Sequence, residues 1–330
     1  MPVLYVTQPG SEVRKKGARL QVEWQGQVLA AVPLRSVERL VLMGPVQLSA
    51  AATQLLLQAH IPVLFCSLRG NYYGTLTTGH EDVETLLHQV TCYQDSNYRL
   101  NIARTIVAAK ITHQQRLLRR YARNHRDSVL AEIADQLRQL AGTLPERSSV
   151  AEVMGVEGQG SALYFSVFGR CLRREGITFS GRNRRPPKDP VNAVLSLSYM
   201  LLLSEVISSL LAQGLNPSIG FLHEVRRRQP SLALDILELV RQPVGDRLTL
   251  SLFNLGVLTA DDFQTTPTGE VRMKEGSLRR FLGFYERAMT TPFRDGNASI
   301  TLREWLREQI AGLKNALCTR SMWSPKMVEM

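Results

Sequence analysis

The 330-residue sequence predicts an α+β protein: a small β-rich N-terminal domain, residues 1–83, followed by a larger all-helical C-terminal domain, residues 84–330. Three observations carry this expectation. Before residue 80, short runs rich in Val, Leu and Tyr alternate with turn residues. After about residue 84 the apolar period lengthens to that of a helix, and few strands are expected. The length also exceeds what a single hydrophobic core holds, roughly 250–300 residues.

The runs VLYVTQ, RLQVEW, VLAAVPL, VERLVLM and IPVLFCS are bounded by Gly, Pro or Ser and read as strands. The stretch from Ser49 to His60 has helical spacing and leads directly into the strand at Ile61, which places one helix on the sheet. The segment VETLLHQVTCYQDSNYRLNIARTIVAAKI opens the helical part. Further on, Asp189 suits an N-cap and Pro190 the first helical position; that helix runs from Val191 to about Gln213, where Gly214 ends it. The window from Ala193 to Ala212 is as long as a membrane span, yet Glu205 and five serines inside it predict a buried core helix. Ser231 is placed to cap a helix beginning at Leu232. The tail CTRSMWSPKMVEM has no period and is expected to be flexible, with Trp323 ordering on a partner.

With 44% hydrophobic and 21% charged residues the chain reads as a soluble globular protein, but 40 Lys+Arg against 29 Asp+Glu give a net charge of +11. Such a balance favours polyanionic partners. No basic flank followed by an apolar run opens the sequence, so a cytoplasmic location is expected. Cys66, Cys92, Cys171 and Cys318 are scattered without a C-x-x-C pair, which argues against a zinc ribbon, a redox motif or a disulfide framework and leaves buried thiols. Between Asn101 and Pro190 there are 16 Lys+Arg and 8 Asp+Glu. Within that stretch Arg116, Arg119, Arg120, Arg123 and Arg126 recur every three or four residues. On a helix they form a stripe that suits either a phosphate backbone or solvent. A second cluster, GRNRRPPKDP, holds Arg182, Arg184, Arg185 and Lys188 in a segment kept extended by two prolines.

Candidate chemistry follows the long helix. Asp235, Glu238 and Arg241 recur at three-residue steps and share one helical face, which is either an ion-pair ladder or part of a site. His223 follows the apolar turn GFL. Glu157 sits among Gly155, Gly158 and Gly160, where nothing bulky keeps a ligand or a neighbouring helix away. Duller readings are favoured elsewhere: His80, Glu81 and Asp82 as a polar interdomain turn, Tyr72 and Tyr73 near Arg69 on a half-buried strand, and Tyr164 and Phe165 as core packing.

The blocks VMGVEGQGSALYF, FSGRNRRPPKDPVNAVLSLSYMLL, LNPSIGFLHE and SLALDILELVRQPVGDR, in that order over about residues 151–250, resemble the four signature segments of the CRISPR-associated protein one family. The whole-chain architecture is similar to that family's as well. The resemblance implies a metal-dependent DNA endonuclease and integrase that inserts short spacer fragments into the CRISPR repeat array beside its leader. It implies Glu157, His223 and Glu238 as ligands of a catalytic Mg²⁺ or Mn²⁺, with Asp235 as a further ligand or a support. Arg182, Arg184, Arg185, Asn192, Arg226, Arg227, Arg228 and Arg241 are the expected DNA-binding residues, with Arg182, Arg185 and Asn192 of the second block expected either to contact DNA or to support the site. The resemblance further implies double-stranded DNA as substrate, a homodimer made through the β-rich domain, and the small CRISPR-associated protein two as partner. One departure is Gln242, where a proline commonly follows the arginine; here Pro243 stands one place later. A related nuclease or integrase outside a CRISPR locus, and a non-catalytic DNA-binding scaffold, are the alternatives.

Overall fold

The computed structural model describes residues 3–68, 72–78, 82–183, 186–295 and 298–328. The chain divides into two compact units, Met1–His80 and Glu81–Met330.

The first unit contains β1 (Val3–Val6), β2 (Glu12–Lys16), β3 (Arg19–Trp24), β4 (Gln27–Pro33), β5 (Arg39–Met43), β6 (Gln47–Leu48), α1 (Ala50–Gln58), β7 (Val63–Cys66) and β8 (Tyr72–Leu76). They form two four-stranded sheets, ordered β1-β5-β7-β8 and β4-β3-β2-β6. In the first, β1, β5 and β7 are parallel and β8 is antiparallel. All five residues of β5 are buried, as the strand RLVLM at the centre of a parallel sheet requires. Val13, Leu20, Val22, Leu40, Leu42, Leu56 and Val63 share one core cluster. The expected strands and helix are present, with Ser49 accepting the Ala52 N–H at 3.2 Å. The strand EVRKK escapes prediction because only Val13 is fully buried; its charged residues lie toward solvent. Tyr72 and Tyr73 do lie on a strand, whereas Arg69, His80 and Glu81 fall outside the described residues.

The second unit is built on α2 (Val83–Gln94), α3 (Ser96–His125), α4 (Ser128–Gly142), α5 (Val150–Val167), α6 (Pro190–Ala212), α7 (Ser231–Val240), α8 (Arg247–Asn254), α9 (Glu275–Thr290) and α10 (Leu302–Thr319). It is mainly helical rather than all-helical: β9 (Phe263–Thr265) pairs with β10 (Val271–Met273), and β11 (Phe293–Asp295) with β12 (Ala298–Ile300). These three-residue ribbons are too short to leave an alternating pattern in the sequence. Several helices start on a side-chain cap. Asp82, Asp95, Asp127, Ser149, Asp189 and Thr301 each accept a backbone N–H of the first turn. Asp82 also pairs with Lys314 at 2.8 Å.

Helix α6 is long and apolar enough to cross a membrane, but 78% of its most apolar window is buried in the protein, as a core helix would be. Its one acid, Glu205, accepts from Arg303 of α10 at 2.8 and 3.2 Å, and Arg303 also reaches Glu286 of α9 at 3.0 Å. Cys66, Cys92 and Cys171 are buried thiols, while Cys318 is partly exposed.

The tail departs from expectation. Trp323 is 4% and Val328 2% exposed. Gln309 accepts the Lys326 N–H at 2.7 Å, the Lys326 carbonyl accepts from the Trp305 indole at 3.2 Å, and the Val328 carbonyl accepts from Arg116 at 3.3 Å. A segment without period is held by side chains of α10 and α3, which periodicity cannot reveal.

Replacing Arg303 with Met removes the guanidinium that neutralises buried Glu205. Urea unfolding is expected to show a loss of about 3–5 kcal/mol. Replacing Glu205 with Gln in the same chain is expected to restore part of that loss.

Candidate active site

The four sequence blocks meet where α3, α5, α6 and α7 pack. Glycine eases a close approach: a Cβ at Gly160 would lie 3.2 Å from the Ile111 side chain of α3, so a larger residue would push that side chain aside. Gly155 and Gly158, which flank Glu157, instead face open space. Glu157 therefore stands on a bare stretch of helix, and Ser161 one turn later donates to its Oε1 at 2.9 Å.

Glu238 on α7 is 3% exposed. Arg241 donates to its Oε1 at 2.7 Å, and Lys110 of α3 stands 2.6 Å from its Oε2. The same Lys110 ammonium donates to Glu157 Oε1, so one lysine, with its side chain 3% exposed, bridges the carboxylates of α5 and α7. Burial pushes the Glu238 carboxyl up, but the charges of Arg241 and Lys110 outweigh it and hold the pKa at about 2.

Asp235, one turn before Glu238, is fully buried and turned toward residues 221–223. Its Oδ2 accepts the N–H groups of Phe221 and Leu222 at 2.5 and 3.0 Å. Its Oδ1 accepts the His223 N–H at 2.9 Å and the ring Nδ1–H at 2.7 Å. Four hydrogen bonds occupy both oxygens, so Asp235 holds the 221–223 turn and the His223 ring in place. With Nδ1 committed, Nε2 is the ring atom left for coordination. Burial lowers the His223 pKa, but the bond to Asp235 and its charge reverse the sign and raise it.

The turn before His223 docks against α7 because residue 220 is glycine. A Cβ there would come within 2.7 Å of the Ser231 carbonyl carbon. Ser231 does not cap α7 as expected; its hydroxyl donates to the Glu224 carbonyl at 2.6 Å. The Pro217 carbonyl instead accepts the Leu232 and Ala233 N–H groups at 2.8 and 3.2 Å. The loop folds back far enough for its own backbone to replace the serine.

The second block forms a support behind the carboxylates. Arg182 donates to Asn192 Oδ1 at 2.8 Å and Ser196 Oγ at 3.2 Å, and lies 5.3 Å from the Tyr199 ring centre. Arg241 lies 5.0 Å from the same ring. Asn192 is fully buried and also bonds Gly181 and Asp189. Asn192 and Arg241 thus have internal partners and are tied into the site's own hydrogen-bond network. Arg226, Arg227 and Arg228 are exposed on the loop after His223. Arg184 and Arg185 fall outside the described residues. Of the basic stripe, Arg119 pairs with Asp135 of α4, and Arg126 lies just past the end of α3.

Gln242 and Pro243 lie in a π-helical turn, Arg241–Asp246, that carries α7 into α8. It delivers Asp246, fully buried, to Tyr199 and Tyr164, which both donate to its carboxylate, the latter at 2.9 Å. Burial raises the Asp246 pKa to about 6 against the lowering effect of those two hydroxyls.

Among the described residues no three His, Cys, Asp or Glu side chains stand as a ready metal-holding group. The place between Glu157 and Glu238 is taken by the Lys110 ammonium. The donors nevertheless fit a hard divalent cation: two carboxylates already converge on one positive charge, Glu238 Oε2 faces the Lys110 ammonium, and His223 Nε2 is uncommitted. Sequence reasoning missed Lys110, Tyr164 as a polar partner, Tyr199 and Asp246. For Lys110 a signal existed: it occupies the same helical face as buried Ala103, Ile106, Val107 and Gln114.

Paired carboxylates, an oriented imidazole and exposed arginines beside them are the equipment of a phosphodiester-processing enzyme. Residues 4–287 match the family CRISPR associated protein Cas1. A CRISPR-associated endonuclease Cas1 of Thermus thermophilus is 35% identical over 322 residues, covering 98% of each chain. Among solved structures, the Cas1-containing chain of a Cas6-RT-Cas1–Cas2 complex superposes with TM-score 0.84 at 25% identity, over 99% of this chain and 36% of that one. A casposase bound to its integration product gives TM-score 0.88 over 100% of this chain and 95% of that one; at 21% identity this likeness concerns the fold. The chain belongs to the Cas1 family of CRISPR-associated endonucleases.

Because the Asp246 pKa is raised above its unfolded value, the ionised form opposes folding, and this penalty fades as pH falls through about 6. Asp246→Asn has no such dependence. Between pH 7 and pH 5 the stability of wild type is expected to gain about 1 kcal/mol on the variant, read from paired urea titrations.

Proposed function

We propose that this chain is the metal-dependent integrase and endonuclease of CRISPR adaptation, acting through Glu157, His223 and Glu238. The observation that carries the reading is the convergence of Glu157 and Glu238 on one buried cation beside a histidine whose Nδ1 is pinned by Asp235. The two carboxylates and the His223 Nε2 would hold Mg²⁺ or Mn²⁺, which when bound polarises the scissile phosphate and favours deprotonation of the attacking oxygen.

The protein's own groups do the rest. Asp235 fixes the imidazole, Ser161 fixes Glu157, and Arg241 balances the charge of Glu238 from the side stacked on Tyr199. Arg226, Arg227 and Arg228, exposed on the loop after His223, would hold the DNA backbone, and Arg182, Arg184 and Arg185 of the second block are assigned the same role. When a DNA 3′-hydroxyl attacks, one phosphorus–oxygen bond forms and another breaks, so a strand is transferred without net hydrolysis. When water attacks, the strand is cut.

The substrate in this reading is double-stranded DNA, with spacer fragments joined to the leader-proximal repeat. The Cas1–Cas2 complex among the similar structures supports Cas2 as the small partner. We assign dimerisation to the β-rich domain, residues 1–83, catalysis to residues 84–330, and a cytoplasmic place of action.

A strand-transfer assay tests this: short 3′-hydroxyl duplexes and supercoiled plasmid, with Mg²⁺ or Mn²⁺, with and without Cas2. Joined products are expected for wild type. Glu157→Ala, His223→Ala and Glu238→Ala are each expected to lower them about 10³-fold or more while still binding DNA. DNA binding by wild type with neither joining nor cutting in any condition would leave a DNA-binding scaffold.

A further inference from the structure

We propose that Lys110 is a built-in placeholder cation: its ammonium holds Glu157 and Glu238 together in the metal-free protein and must leave for a divalent metal to enter. The inference rests on the metal-site reading above and adds to it a residue outside the four sequence blocks. In this account Lys110 acts through the carboxylates, as a positioning residue that sets how tightly the metal binds.

The charge arithmetic is the first support. Glu157 and Glu238 come from different helices and face one another, and Glu238 is 3% exposed. Two carboxylates brought together away from water repel unless cations intervene. Lys110 and Arg241 supply two positive charges against these two negative ones, so the metal-free cluster is neutral as built. A divalent cation added with both basic groups in place would leave the cluster at +2, in surroundings that screen poorly.

Geometry selects which of the two basic groups yields. Arg241 is held on its own helix, takes Glu238 Oε1, and lies over the Tyr199 ring at 5.0 Å. Lys110 takes Glu238 Oε2 and Glu157 Oε1, the oxygens that face the shared space. A hard cation coordinates such oxygens at about 2.0–2.6 Å, so it and the ammonium cannot occupy the space together. The lysine stem has four flexible carbons, whereas the guanidinium is planar and fixed by stacking. Lys110 is the group that can swing away.

The lysine's position on α3 supports the same conclusion. Ala103, Ile106, Val107, Ile111 and Gln114 are buried on the surrounding face, so Lys110 is a charge placed inside a helix interface. A buried lysine needs a counterion, and one carboxylate would suffice. Here it is aimed between two. A purely structural ion pair gives no reason for the second, while a placeholder requires it.

The test is Mn²⁺ binding to the full chain at one fixed pH and ionic strength, followed by loss of the free Mn²⁺ electron paramagnetic resonance signal and by thermal melting with and without Mn²⁺. Lys110→Met removes the competitor; its Mn²⁺ affinity is expected to rise on the order of tenfold or more, and its lowered metal-free Tm is expected to recover toward wild type when Mn²⁺ is added. Lys110→Arg keeps the charge in a stiffer fork that can hold both carboxylates, so it preserves the metal-free fold and is expected to bind Mn²⁺ more weakly than wild type. Should Lys110→Met bind Mn²⁺ no better than wild type, with a Tm deficit that Mn²⁺ does not narrow, the placeholder role is overturned and Lys110 is a structural pair. The metal-site reading fails separately: wild type would then bind no Mn²⁺ that Glu157→Gln or Glu238→Gln weakens.

Discussion

The structure depends on two carboxylates, Glu238 buried and Glu157 partly exposed, held side by side among packed helices. Glu238 on α7 and Glu157 on α5 can be neighbours only because Lys110 reaches in from α3 and Arg241 turns back along α7. Without those cations the acids would repel in a poorly screening medium and oppose the packing of the three helices at this point. The arrangement is electrostatically balanced yet exchangeable. One cation is anchored by stacking, and the other is flexible.

The surrounding polar groups hold that pair in register. Asp235 gathers three backbone N–H groups and the His223 ring into one junction, which fixes the 221–223 turn to α7. Gly220 lets that turn approach α7, and Gly160 lets α5 approach α3. Behind them Asp246, Tyr164 and Tyr199 form a buried hydroxyl–carboxylate network under the two arginines that share the Tyr199 ring. Such a network, with its members paired, narrows the positions available to Arg241 and thereby to Glu238. The site is spread over several helices: each block alone contributes one or two groups, and the fold brings them together.

Much of this was legible in the sequence where a local rule operates. Asp189–Pro190 announces the start of α6, buried Glu205 argues for a core helix, and valine-rich runs mark β1, β3, β5 and β7. The motifs also singled out Glu157, His223, Asp235 and Glu238, and the structure sets them around one location. What failed depended on tertiary context. Val13 alone could not signal β2 among charged neighbours, the two three-residue ribbons carry no period, and the 320–328 segment is ordered by α10 and Arg116. Ser231 has a capping residue's chemistry, but the Pro217 carbonyl reached the helix end first. Lys110 was overlooked because a lysine in a basic helix looks like surface; its helical phase was the available clue.

The most direct test of the central claim is a crystal structure of the protein soaked in Mn²⁺, with anomalous scattering used to locate the metal. The account predicts one anomalous peak bounded by Glu157, His223 Nε2 and Glu238, with the Lys110 ammonium withdrawn from both carboxylates and Arg241 still on Glu238. A peak elsewhere, or none while Lys110 keeps its bridge under saturating Mn²⁺, would contradict it.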